Sequence, residues 1–253
     1  MNPKITDWQG RRVWLIGASA GIGAALAKEL AGRGARLALT ARDAGKLKAL
    51  AISDALLLPL DATSTADLAV ARQTLNLAWG GIDLCIYLAG DYTPMTAESF
   101  DLARMEQMFA VNFTAATRLT ATILPDLLEK NQGGLAFFAS VAGYRGLPKA
   151  LAYGPGKAAL IHFAECLHMD LAPRGIGVWV INPGFVATRL TAKNDFTMPA
   201  LMTPEAAALA TVDGFNTGDF EIHYPKRFTR FMKLLAVLPY RWSFPLIRRF
   251  TGG

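Results

Sequence analysis

Residues 12–23 read RVWLIGASAGIG. The apolar run at 12–18 has the character of a buried strand, and 22–31 follows with helical periodicity and good helix formers. Gly17, Ser19, Ala20, Gly21, Ile22 and Gly23 therefore fall on the turn from a strand into a helix. Glycine matters there for a steric reason. The phosphates of a dinucleotide must approach the backbone closely, and a side chain would block them. A helix opening at this turn presents free N–H groups and a partial positive charge to an anion. The spacing is GxxxGxG rather than GxGxxG. An ordinary tight turn would use the same residue types, so the reading depends on what surrounds it.

The surroundings repeat the pattern. Strand-like runs at 36–40, 55–60, 82–89, 135–139, 177–182 and 220–224 alternate with helical stretches at 43–51, 65–79, 99–129 and 150–172. The run at 82–89 is apolar enough to need cover on both faces. Such alternation predicts a parallel sheet wrapped by helices through right-handed crossovers. The long helical stretch at 99–129 is expected to break or end near Pro125. No repeat or low-complexity linker divides residues 1–225, which predicts one domain followed by a basic extension at 226–253.

Of the 253 residues, 52% are apolar and 18% charged, ample for a buried core and far from a disordered composition. Residues 1–12 are polar and charged without an apolar stretch, so no secretory signal is read there. No run approaches the roughly 18 apolar residues of a membrane span. Cys85 and Cys166 lack CxxC spacing, and His162, His168 and His223 lack metal-ligand spacing. Neither a disulfide framework nor a metal site is expected, and the cysteine usage fits the cytoplasm. The formal charge of +6 belongs to one end of the chain. Lys226, Arg227, Arg230, Lys233, Arg241, Arg248 and Arg249 are accompanied by no acid, leaving nineteen cations against twenty acids elsewhere.

The second strand ends at Thr40-Ala41-Arg42-Asp43. An acidic residue at that strand end would bond the ribose of NAD and repel a 2′-phosphate. Here the position is neutral and Arg42 follows, whose forked donors suit a phosphate, so NADP(H) is favoured. Asp43 could instead pair with Arg42 or cap the next helix. Further along, Tyr153 and Lys157 are four apart and share a helix face. A phenol with a pKa of about 10 is a poor base at neutral pH. A nearby ammonium favours the phenolate, and a group so poised can exchange a proton with a substrate oxygen. The Ser140 hydroxyl could hold that same oxygen.

These residues, in this order, resemble the classical short-chain dehydrogenase/reductase family. The match runs through about 190 residues: Gly17-x-x-x-Gly21-x-Gly23, Asp61, Ala89-Gly90, Asn112, Ser140, Tyr153-x-x-x-Lys157 and Pro183-Gly184. The resemblance implies a Rossmann-type α/β fold, doubly wound, with a mostly parallel seven-stranded sheet and helices on both faces. It implies hydride transfer between a nicotinamide and a ketone or secondary alcohol, with Tyr153 as the general acid/base. It also implies that Lys157 binds the nicotinamide ribose and that Asn112 holds a water in a relay to Lys157. Asp61 and Ala62 would lie beside the adenine, and Val186 and Thr188 would contact the carboxamide and phosphate. A homo-oligomer, dimer or tetramer, is expected.

Two departures stand out. The family usually places Asn before the Ala-Gly of the fourth strand, and Leu88 stands there, which puts a bracing hydrogen bond in doubt. Pro155 and Gly156 lie between Tyr153 and Lys157; proline is tolerated in a first helical turn, so the helix should start close to Tyr153. Residues 188–204 are expected to form a lid over substrate. Leu190, Phe196, Met198, Leu201 and Met202 suggest an apolar, acyl or lipid-like carbonyl compound, or else pack on the core. In the extension, Phe228, Phe231, Met232, Leu235 and Leu238 recur at helical spacing, Pro239 ends that helix, and Tyr240, Trp242, Phe244 and Phe250 follow. Such a segment could lie on an anionic membrane, cover the core or meet a second subunit. Nucleic acid is not expected as a partner. A silent NADP(H) sensor or a membrane-recruited interaction protein is the alternative to an enzyme.

Overall fold

The computed structural model describes residues 1–251, with side chains through Arg249, so the side chain of Phe250 lies outside the described residues. The elements in chain order are β1 (Arg12–Ile16), α1 (Gly21–Gly32), β2 (Arg36–Ala41), α2 (Ala44–Lys48), β3 (Leu56–Pro59), α3 (Thr65–Trp79) and β4 (Leu84–Tyr87). They continue with α4 (Leu102–Phe109), α5 (Ala115–Lys130), β5 (Gly134–Phe138), α6 (Tyr153–Leu171), β6 (Gly177–Pro183), α7 (Pro204–Thr217) and β7 (Glu221–Tyr224). Two further helices, α8 (Lys226–Val237) and α9 (Tyr240–Thr251), follow.

Alternation within the strands sorts the core into two layers. Val13 and Leu15 of β1 face one way, into a cluster with Leu26 and Leu30 of α1 and Val212 and Phe215 of α7. Trp14 and Ile16 face the other way, among Leu75 of α3, Leu119 and Ile123 of α5, and Leu160 of α6. The side-chain period of two along a strand makes both faces apolar, as a sheet covered by helices on both sides requires. All described strand pairs are parallel, in the order β3-β2-β1-β4-β5-β6-β7. The order reverses between β1 and β4, and ligands of such sheets bind at the carboxyl ends of the strands beside that reversal. The Rossmann-type expectation is met, and every described pairing is parallel rather than most of them.

Pro125 does not break its helix: α5 runs through it to Lys130, with Pro125 at an exposed position. The interruption lies earlier, as a turn of π-helix at Ala110–Thr114 between α4 and α5. The Val111 carbonyl, within that turn, accepts a 2.6 Å hydrogen bond from the Tyr87 hydroxyl. A side chain beside Leu88 thus ties the central sheet to its helical cover, where a brace through residue 88 was in doubt.

The extension packs on the domain. Met232 and Leu235 of α8 and Ile247 of α9 form a small core with Val141, flanked by Tyr144 and Leu147. Glu221 of β7 accepts from Lys233 of α8, from the Tyr144 hydroxyl and from Asn182 Nδ2. Arg145 donates at 2.7 Å to both the Leu238 carbonyl and Ser243 Oγ, with its guanidinium 4.0 Å from the centre of the Tyr240 ring. Of the three options for the extension, covering the core is therefore realised for its inward face.

Candidate active site

The glycine turn leaves β1 and enters α1 without any side-chain cap on the helix. Gly17 has φ +95°, and a Cβ there would sit 2.6 Å from the Ala89 nitrogen. A Cβ on Gly23 would sit 2.2 Å from the Gly17 carbonyl oxygen. The first position lets the β1 and β4 strand ends approach each other. The second lets the helix start directly behind the turn. The uncapped first turn then offers backbone N–H donors and the positive end of the helix dipole to an anion. Those donors, not taken up by any side-chain cap, fit the diphosphate of a dinucleotide.

Two adjoining crevices share this turn. The first is lined by Gly17, Ala20, Gly21, Ile22, Gly23, Gly90, Ser140, Tyr153, Lys157, Pro183, Gly184, Val186 and Thr188. The second is lined by Gly17, Ser19, Ala20, Arg42, Asp61, Ala62, Ala89 and Gly90. Every catalytic and cofactor candidate read from the sequence, except Asn112, thus borders one continuous groove along the carboxyl ends of β1, β2, β3, β4, β5 and β6; of the lid candidates only Leu190 does. At the second crevice, Asp43 is occupied by capping Lys46 N and pairing with its ammonium at 3.3 Å. It does not serve as Arg42's partner. Asp61 accepts from Thr63 N and Oγ1, both at 2.9 Å. Those bonds, helped by the nearby Arg42, hold its carboxyl below the usual range.

In the first crevice, α6 begins at Tyr153, so Pro155 occupies the first turn as its chemistry demands. Lys157 is 3% exposed and donates at 2.8 Å to the Phe138 carbonyl, its Nζ lying 5.6 Å from the centre of the Tyr153 ring. Ser140 follows β5, accepts from Ala142 N at 3.1 Å and lines the same crevice as Tyr153. The electrostatics differ from the simple ammonium–phenolate picture. Burial pushes the Tyr153 phenol up to about 12, with the nearby Ser140 hydroxyl opposing the shift. Burial also pulls the Lys157 ammonium down to about 7. Desolvation disfavours both charged forms and is the largest cause for each.

Asn112 is fully buried in the π-helical turn. Its Oδ1 accepts from Asp91 N at 3.1 Å and its Nδ2 donates to the Asp91 carbonyl at 2.7 Å. Both polar ends of the amide are committed to the segment after β4. In this geometry it positions that segment and stands behind the groove wall, not on it.

Two residues at the site, Tyr92 and Arg189, were missed in the sequence, while Leu190 was read there as part of the lid. The Tyr92 ring stands edge-on to Tyr153 at 5.2 Å, and Arg189 and Leu190 border both crevices. The available signal was position, since each follows closely after the carboxyl end of a central strand. Of the expected lid, Thr191–Lys193 forms one 3-10 turn, and Met202 returns to pair with Val186. Phe196 packs on Phe185, which in turn packs on Phe228 of α8.

A model of the short chain dehydrogenase family matches residues 11–198. An uncharacterized oxidoreductase of Myxococcus xanthus is 34% identical over 235 residues, covering 90% of this chain and 93% of that protein. The ketoacyl reductase HetN of Nostoc is 29% identical, covering 86% and 79% respectively. Among solved structures, a short-chain dehydrogenase from Sphingobium yanoikuyae in complex with NADPH superposes with a TM-score of 0.78 at 28% identity, covering 90% of this chain and 97% of that one. A short-chain dehydrogenase from Streptomyces avermitilis reaches 0.80 at 23% identity, covering 96% and 99%.

Proposed function

The chain belongs to the short-chain dehydrogenase family, and from that premise we propose that it is an NADP(H)-dependent reductase of an apolar ketone, acyl or lipid-like. One observation carries the reading: Ser140, Tyr153 and Lys157 converge at one end of the groove whose middle is the uncapped helix start. When bound, the nicotinamide supplies or accepts the hydride.

The chain's own residues do the rest. Ser140 Oγ and Tyr153 Oη hold the carbonyl oxygen. As negative charge develops on that oxygen, the Tyr153 phenol donates its proton and the alcohol forms. A phenol at about 12 is fully protonated at neutral pH, which suits the reductive direction. Lys157, near 7, can carry a proton at working pH to restore the phenol and hold the nicotinamide ribose. Gly17, Ser19, Ala20, Gly21, Ile22 and Gly23 would cradle the diphosphate. Asp61, Ala62, Ala89 and Gly90 would flank the adenine half, while Pro183, Gly184, Val186 and Thr188 would flank the carboxamide. Asn112 would act by positioning.

Arg42 supports the preference for NADP(H), because the next acid is already taken by Lys46. The NADPH in the Sphingobium relative points the same way. HetN's name and the apolar residues of 188–204 support an acyl or ring ketone. We infer a cytoplasmic dimer or tetramer as the working form.

NADPH oxidation against a panel of ketones and 3-oxoacyl thioesters tests the reading. Tyr153→Phe should lose about two to four orders of magnitude in kcat while still binding NADPH. Arg42→Ala should weaken NADPH and leave NADH unchanged. Tight NADPH binding with no turnover of any carbonyl would favour a sensor instead.

A further inference from the structure

We propose that the α8–α9 corner is a docking surface for an anionic lipid bilayer. The inward faces of both helices are used, since Met232, Leu235 and Ile247 are buried against Val141. The outward face is apolar regardless. Leu234 is 54% exposed, Val237 79%, Tyr240 63% and Trp242 54%. These residues bracket Pro239, where one helix gives way to the next. Exposed cations stand on either side, Arg227 and Arg230 before the corner and Arg241, Arg248 and Arg249 after it. No acid occurs anywhere from 226 to 253.

The charge selects the occupant. A symmetric contact with a second copy would set this cationic face against itself, and like charges facing each other oppose association. A membrane rich in anionic lipid is complementary to it. Tryptophan and tyrosine settle at the headgroup boundary, and arginine beside them meets phosphate. Each helix has 12 residues, about 18 Å of length, and no described helix is long and apolar enough to cross a membrane. The corner therefore rests in the interface without spanning it.

Trp242 supplies the readout, because Trp8, Trp14 and Trp179 are buried and Trp79 is partly covered. The full-length protein is mixed with phosphatidylcholine vesicles, with and without phosphatidylglycerol, at low and high salt. The expected result is flotation and a blue shift of emission with the anionic vesicles at low salt only. Val237→Ser with Trp242→Ser, and separately Arg241→Ser with Arg248→Ser, should each weaken binding by at least about ten-fold. Their unfolding midpoints and NADPH binding should be unchanged. Trp242→Phe should still float but lose the shift. If a serine variant fails to fold, quenching of the wild type by brominated lipid, with Trp242→Phe as the blank, decides instead. Equal flotation with neutral vesicles, or none with anionic ones, overturns the proposal. So does a dimer that the serine variants dissociate while no protein floats.

Discussion

Lys157 sits at the midpoint of its own titration near pH 7, and this has a consequence for stability. Its folded value lies below its unfolded one, so between about 7 and 10.5 the unfolded chain binds more protons than the folded one. Stability must rise with pH across that window. The Cys85 thiol, pushed up by burial, works in the opposite sense above 9, so the clean interval is pH 7 to 9. Unfolding free energy should climb by about 2 kcal/mol across it at about 1.4 kcal/mol per unit for one proton. Lys157→Met should flatten the climb in denaturant melts, and a slope unchanged by the substitution would contradict the assignment. At this scale the sequence was legible where chemistry is local. Tyr153, Lys157, Ser140 and Arg42 could be picked out by type and spacing. Tyr87 could not, because its partner is the Val111 carbonyl, and nothing in the sequence brings that backbone atom beside it.

Among the elements, the strands and most helices were legible because period two and period 3.6 leave different apolar patterns. The interruption expected near Pro125 in the stretch at 99–129 was misplaced for two physical reasons. A π-helical turn changes the count of residues per turn without any residue type that announces it. Proline in an exposed mid-helix position costs stability yet does not forbid the helix when the rest of it is packed. Leu119, Ile123 and Leu127 hold α5 against the sheet on either side of Pro125. Pro125→Ala should therefore raise the unfolding free energy, by up to about 3 kcal/mol less the entropy returned to the unfolded chain. A calorimetric melt checks this. At the start of α1, Gly23→Ala would force a methyl into the Gly17 carbonyl. It should cost about 1–3 kcal/mol and weaken NADPH binding, since the crowded turn is the one that would hold the diphosphate.

At the scale of the whole molecule, the extension reads differently from its sequence. Helical spacing and cations were visible; the destination of the helices was not, because Val141, Tyr144 and Arg145 lie some ninety residues away. Ending the chain at Pro225 would uncover Val141 and leave Arg145 and Glu221 without their partners on α8 and α9. The truncated protein should melt on the order of 10 °C lower. Ketone reduction should fall with it, because Ser140 directly precedes the uncovered segment. A truncation that left both melting and turnover unchanged would show that the extension is dispensable to the domain.

The same separation of charge makes the molecule an electric dipole. All of its excess positive charge is carried by two helices at one corner, while the remaining sheet and helices are close to neutral. Torque from a charged surface acts on such a body before any contact is made, turning the corner forward during diffusion. Encounter is then oriented as well as accelerated, and both effects fade as the ionic strength rises. Retention on a cation exchanger should accordingly exceed that of an evenly charged protein of the same net charge.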